Sequence, residues 1–172
     1  KIAKAMNSNR PLGEARGKRE YIVFCFSGKK ICSDLKKVGV YGNKTKSISF
    51  PTFLKESLLR HFIRGLFDSD GSFTANRSRR CKTIVGRFSV SGTKNITEGI
   101  NKIFVKYLKT VSTKIVVDKR VFEGSGIYAI SNTTDIAKIY DFLYKKASLF
   151  LIRKKLKIEK YLEERNVIFR RR

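Results

Sequence analysis

The stretch FIRGLFDSDGSF, residues 62–73, decides how this chain is read. Leading into it, Phe53, Leu54, Leu58, Leu59, Phe62, Ile63, Leu66 and Phe67 recur at helical spacing, so residues 52–67 are predicted to form a buried helix with a wide apolar face. Asp68-Ser69-Asp70-Gly71 closes that pattern. Beyond it GSFTAN and TIVGRFSVS alternate with period two, which predicts two strands joined by the basic hairpin RSRRCK. A carboxylate at the end of a buried helix, beside a glycine that turns into a strand, is projected to one end of the helix and onto a sheet surface. Asp-x-Asp-Gly can also open a calcium loop, but the twelfth position counted from Asp68 is Arg79, where such a loop needs an oxygen ligand. It can equally form an Asx-type turn, the reading an isolated DSDG would favour. The helix before it, the alternating strands after it and the basic excess favour a chemical role.

Outward from this stretch, the pattern predicts a helix over 93–108, with Ile96, Ile100, Ile103, Phe104 and Tyr107 on its apolar face. Strands STKIVV and GIYAI follow, joined by DKRVFEGS; a helix over 133–147, with Thr133 or Thr134 as its cap, precedes a last helix over 149–164. Upstream, REYIVFCF is predicted as a strand, KKICSDLKKVGV as a helix with Gly39 at its C-terminal cap, residues 1–6 as a short strand, and the stretch between them as a long loop. YIVFCFSGKKICSDLKKVGVYGNKT parallels IYAISNTTDIAKIYDFLYKKASLFLIRKK in its order of strand, polar turn and helix. The expected class is α+β, with residues 1–50 as the C-terminal part of a first repeat and 51–172 as a complete second one.

Lysine and arginine total 39 against 14 acidic residues, and a net charge of +25 repels itself without a polyanionic partner. Nucleic acid is the natural candidate, and a ribosomal-type protein would share that charge. Cys25, Cys32 and Cys81 are odd in number and form no CxxC pair, which argues against a disulfide scaffold and a zinc finger and suggests reduced core residues. No apolar run is long enough to cross a bilayer and no signal-peptide pattern opens the chain. Beginning at Lys1 without methionine, the sequence is expected to be a fragment or processed product.

Ile63-Arg64-Gly65-Leu66-Phe67-Asp68-Ser69-Asp70-Gly71 resembles the motif of the LAGLIDADG homing endonuclease family, with arginine in place of the small second residue. The resemblance implies an αββαββα repeat whose curved antiparallel sheet is a DNA-binding saddle. It implies that Gly65, Leu66 and Phe62 meet the matching helix of a second repeat, lying upstream in an intact chain or in a homodimer partner. Asp70 is then the catalytic metal ligand for Mg2+ or Mn2+, with Gly71 beside it at the metal, and Asp68 is structural. GVYGNKTKSISFP and LYKKASLFLIRKK are similar to repeat ends in two-repeat members. They make Lys44 and Lys154 the candidate basic residues near the active sites, with Arg153 and Lys155 as competitors. The position after the second strand, where a polar residue would assist water, is Gly92.

On such a sheet, alternation puts Phe73, Ala75, Ile84, Gly86, Phe88 and Val90 inward. Ser72, Thr74, Asn76, Arg87, Ser89 and Ser91 then face outward as base readers, while Arg77, Arg79, Arg80, Lys82, Lys119 and Arg120 at the hairpin tips reach phosphates and flanking bases. The function implied is site-specific, divalent-metal-dependent hydrolysis of double-stranded DNA. The alternative is an RNA-binding intron maturase, or a DNA-binding relative without cleavage. Localisation is left open between a bacterial or phage-host cytoplasm and an organelle.

Overall fold

In the computed structural model, residues 2–15, 21–23, 25, 27–40, 47–78, 83–117 and 124–165 are described. The chain divides into two compact units, residues 1–41 and 42–172. The first holds helix α1 (Ile2–Ala5), antiparallel strands β1 (Gly13–Ala15) and β2 (Tyr21–Val23), and helix α2 (Lys29–Lys37). The expected strand at 1–6 is instead a helical turn, rich in alanine and lysine that favour helix. The expected long loop contributes strand β1, which pairs with β2. Gly39 closes α2 as expected, at φ 81°: its N–H bonds to the Lys36 carbonyl and that of Val40 to the Leu35 carbonyl. None of α2 is buried, so Cys32, like Cys25, is exposed and not a core residue; Cys81 lies outside the described residues.

The second unit runs α3 (Glu56–Asp70), β3 (Gly71–Arg77), β4 (Ile84–Thr93), α4 (Lys94–Ile103), a π-helical segment Phe104–Leu108, β5 (Ser125–Ile130), α5 (Thr133–Tyr144) and α6 (Ile152–Glu164). It is α+β. The antiparallel sheet has the order β3-β4-β5 and packs its inner face on the helices. Phe73 opposes Phe88 and Ala75 opposes Gly86 across β3 and β4, so the inward side chains meet in rows. Phe67 of α3 stacks on Phe88 at 4.4 Å, and Phe104 and Tyr128 complete an aromatic cluster beneath the sheet. α6 passes under β4 at Gly86. A Cβ there would come within 2.6 Å of the Tyr161 ring, so only glycine lets helix and strand approach this closely.

The order follows the expected αββαββα repeat except at one strand. Residues 112–117 form only an isolated bridge, Val116 to Ile127. Asn101 of α4 holds both backbone groups of Thr113, at 3.2 Å each, on the edge facing away from β5. The cap of α5 is Asn132 and not a threonine, its side chain accepting from the Asp135 N–H at 3.0 Å. Thr93 caps α4 in the same way, at 3.2 Å from the Ile96 nitrogen.

Helix α3 is shifted from its expected span, starting after residues 51–55 and running through both aspartates directly into β3. It is buried along one side only. Leu59, Ile63, Arg64 and Phe67 face the core, whereas Leu58 and Gly65 are exposed and Phe62 and Leu66 half-buried. A Cβ on Gly65 would meet nothing within 4 Å.

Candidate nucleic-acid interface and carboxylate site

The junction of α3 and β3 gathers the charged groups of the 62–73 stretch and separates their tasks. A helix C-terminus carries unpaired carbonyls and partial negative charge, and two aspartates in the last turn add to it. Lys154 of α6, a residue 7% exposed, answers this: its ammonium donates to the Phe67 carbonyl at 2.5 Å and the Gly71 carbonyl at 2.6 Å. Burial, then the neighbouring Arg153, lower its pKa, against the opposing pull of Asp68 and Asp70. Asp68 is turned back into the protein. It accepts from the Leu151 N–H at 2.9 Å and from the Tyr144 hydroxyl at 3.4 Å, tying α3 to the start of α6. Burial and then the Asp68 carboxylate push the Tyr144 hydroxyl pKa up, so it stays a proton donor.

Asp70 differs from Asp68. It is exposed, and its side chain accepts one hydrogen bond, from the Ser69 hydroxyl at 3.1 Å. Its oxygens suit a hard divalent cation, since magnesium is commonly held by one or two carboxylates together with water and substrate phosphates. The Gly71 carbonyl beside it accepts from Lys154 at 2.6 Å. Among the described residues no group of three or more His, Cys, Asp or Glu could hold a metal ion.

Beside this junction lies a polar cleft of about 290 Å3, lined by Ser69, Gly71, Ser72 and Phe73 and by Arg153, Lys154 and Lys157 of α6. Lys157 was not singled out by sequence reasoning. The signal was its spacing, four residues after Arg153 on one helix face.

Arg64, the departure from the motif, is 5% exposed. Its Nη1 donates to the Leu143 carbonyl at 2.8 Å and its Nε to the Leu149 carbonyl at 2.9 Å, while Nη2 lies 2.7 Å from His61 Nδ1. Burial, then the neighbouring Arg60, lower its pKa, with Asp68 acting against them. Arg64 therefore clamps the turn that delivers Leu151 and Lys154 to α3, a task that the helical pattern alone did not show.

The outer sheet face starts one residue past Gly71. Ser72 opposes Ser89, Thr74 opposes Arg87, and Asn76 opposes Val85; Ser91 lies opposite Ile127 of β5. Ser72, Thr74, Asn76, Arg87 and Ser91 are exposed and Ser89 half-buried, its hydroxyl donating to the Ser72 carbonyl at 3.4 Å. Among the described residues Thr74, Asn76 and Arg87 make no side-chain hydrogen bond or ion pair, so their polar atoms are free for a ligand. Arg77 is exposed at the end of β3. Lys44, Arg79, Arg80, Lys82, Lys119 and Arg120 lie outside the described residues.

No protein-family model and no curated protein matches this sequence. Similar solved structures include the homing endonuclease I-CvuI in complex with a DNA target, at 14% identity and a TM-score of 0.49 over 65% of this chain and 69% of that one. The archaeal intron-encoded homing endonuclease I-Vdi141I, complexed with DNA, gives 18% and 0.47 over 67% and 72%. The LAGLIDADG homing endonuclease I-GzeII, in complex with its DNA target, gives 13% and 0.49 over 84% of this chain but 46% of its own. These solved homing endonucleases, LAGLIDADG homing endonucleases among them, are what the chain is similar to in structure.

Proposed function

We propose that this chain is one half of a site-specific endonuclease for double-stranded DNA, hydrolysing phosphodiesters with a divalent metal at Asp70. The observation that carries the reading is the exposed Asp70 carboxylate, two residues before the outward row of a polar sheet, in a chain of charge +25. An acid at the rim of a phosphate-binding surface opposes binding. A divalent cation reverses its sign there. Such a cation, when bound, would activate water and stabilise the leaving oxygen.

The chain's own residues supply the rest. Asp68, Arg64 and Lys154 hold the α3–β3 junction in place, so the Asp70 carboxylate is presented from a rigid helix end. The cleft cations Arg153 and Lys157 attract a phosphate toward it. The sheet offers hydrogen-bonding side chains in two rows, a form that fits the major groove.

A second copy of the motif completes the site. Its place is the stripe of α3 made by Leu58, Phe62, Gly65 and Leu66, where the bare Gly65 backbone allows close helix–helix approach. The copy comes from an upstream repeat in an intact chain or from a homodimer partner. Either source brings a second carboxylate to the same end of the helix pair.

An RNA-splicing cofactor on the same scaffold would share the charge but not the preference for duplex DNA. Competition for a labelled duplex pool separates the two. Unlabelled duplex DNA is expected to displace the chain at lower concentration than an equal mass of structured RNA, and the reverse order contradicts the endonuclease reading.

A further inference from the structure

We infer that the cross-strand pair Asn76–Val85 reads one A·T base pair, Asn76 taking the adenine and Val85 the 5-methyl group of its thymine. The inference rests on the proposal that the outer sheet face enters the major groove, and it names part of the sequence which that face selects. Asn76 of β3 and Val85 of β4 are direct register partners, both exposed on the outward face. Side chains so opposed have their Cβ atoms about 5 Å apart, close enough to address one base pair together.

The chemistry of the two side chains is complementary to A·T. The Asn76 carboxamide carries a donor and an acceptor side by side, without a partner among the described residues. Adenine presents N7 as acceptor and the N6 amino group as donor on its major-groove edge, the pattern a carboxamide matches in two bonds. Val85 stands 40% exposed on a face otherwise made of serine, threonine, asparagine and arginine around it. An isopropyl group in that place gains free energy only by leaving water against another apolar group. In the major groove that group is the thymine methyl, which lies across the pair from the adenine edge. Guanine fits neither partner: it offers two acceptors to the carboxamide, and its cytosine has no methyl.

The test is selection of binding sites by the whole chain from duplexes with a randomised core, followed by titration of the selected duplex. The selected sites should contain one strongly preferred A·T pair at which Asn76→Ala lowers the preference for adenine roughly tenfold. Replacing the thymine of that same pair by uracil, which removes only the methyl, should weaken wild-type binding roughly fourfold, the worth of one buried methyl. Val85→Ser should bind the two duplexes alike, and Val85→Thr, which keeps one methyl, should show an intermediate penalty. Both positions are exposed, and an unchanged melting temperature confirms that each variant is folded. Effects of Asn76 and Val85 that fall on different base pairs, or a uracil penalty that persists in Val85→Ser, overturn the inference while leaving the sheet's role intact. Failure to bind duplex DNA, or binding without any sequence preference, overturns the major-groove reading and the inference with it.

Discussion

Two aspartates two positions apart have opposite surroundings, and that difference assigns their work. Asp68 accepts bonds from Leu151 and Tyr144, so Asp68→Asn should destabilise the chain, whereas Asp70→Asn should leave stability unchanged. Lys154 shares the structural side of this division even though its ammonium lies beside the candidate site. Lys154→Met leaves the Phe67 and Gly71 carbonyls without their donor, and should cost about 1–3 kcal/mol in denaturant unfolding. A loss no larger than that of Asp70→Asn would show that the lysine is not needed to close the helix. The motif made both aspartates legible in the sequence. Their division of work was implied by the family resemblance alone, and the partners that hold Asp68 were not legible, because they come from a turn some eighty residues away.

At the scale of elements, the sheet alternation was legible because a period of two leaves no choice once Phe73 and Phe88 must be buried. The outward row Ser72, Thr74, Asn76, Arg87 and Ser91 lies as alternation placed it. What was not legible came from tertiary partners overriding local pattern. Residues 112–117 have strand chemistry, yet only the bridge from Val116 to Ile127 forms among them, and Thr113 is tied instead to Asn101 of α4. Arg64 sits where the motif has a small residue, and it clamps the α5–α6 turn through carbonyls some eighty residues along the chain, which no local pattern encodes. Gly86 is a packing requirement of the same kind. Gly86→Ala drives a methyl into the Tyr161 ring and should cost about 1–3 kcal/mol by calorimetry, the usual price of overpacking. Tyr161→Leu should recover part of that loss, and the absence of any recovery would mean the clash lies elsewhere.

For the whole molecule, charge and shape set the terms of binding. With 39 basic residues against 14 acidic ones, affinity for duplex DNA should fall steeply with salt, by roughly a thousandfold or more between about 50 and 200 mM if six or more phosphates are neutralised. A shallow slope, read from fluorescence anisotropy across that range, would leave the charge without its expected partner. The measurement that tests the account most directly is made on one duplex selected by the chain, following binding and strand cleavage together, with and without magnesium, for the wild type and Asp70→Asn. With the second copy of the motif present, as a homodimer partner or as the upstream repeat, the account predicts magnesium-dependent cutting by the wild type, and salt-sensitive binding at least as tight but no cutting by the variant. Cutting that survives in Asp70→Asn, or that proceeds equally without magnesium, would contradict it.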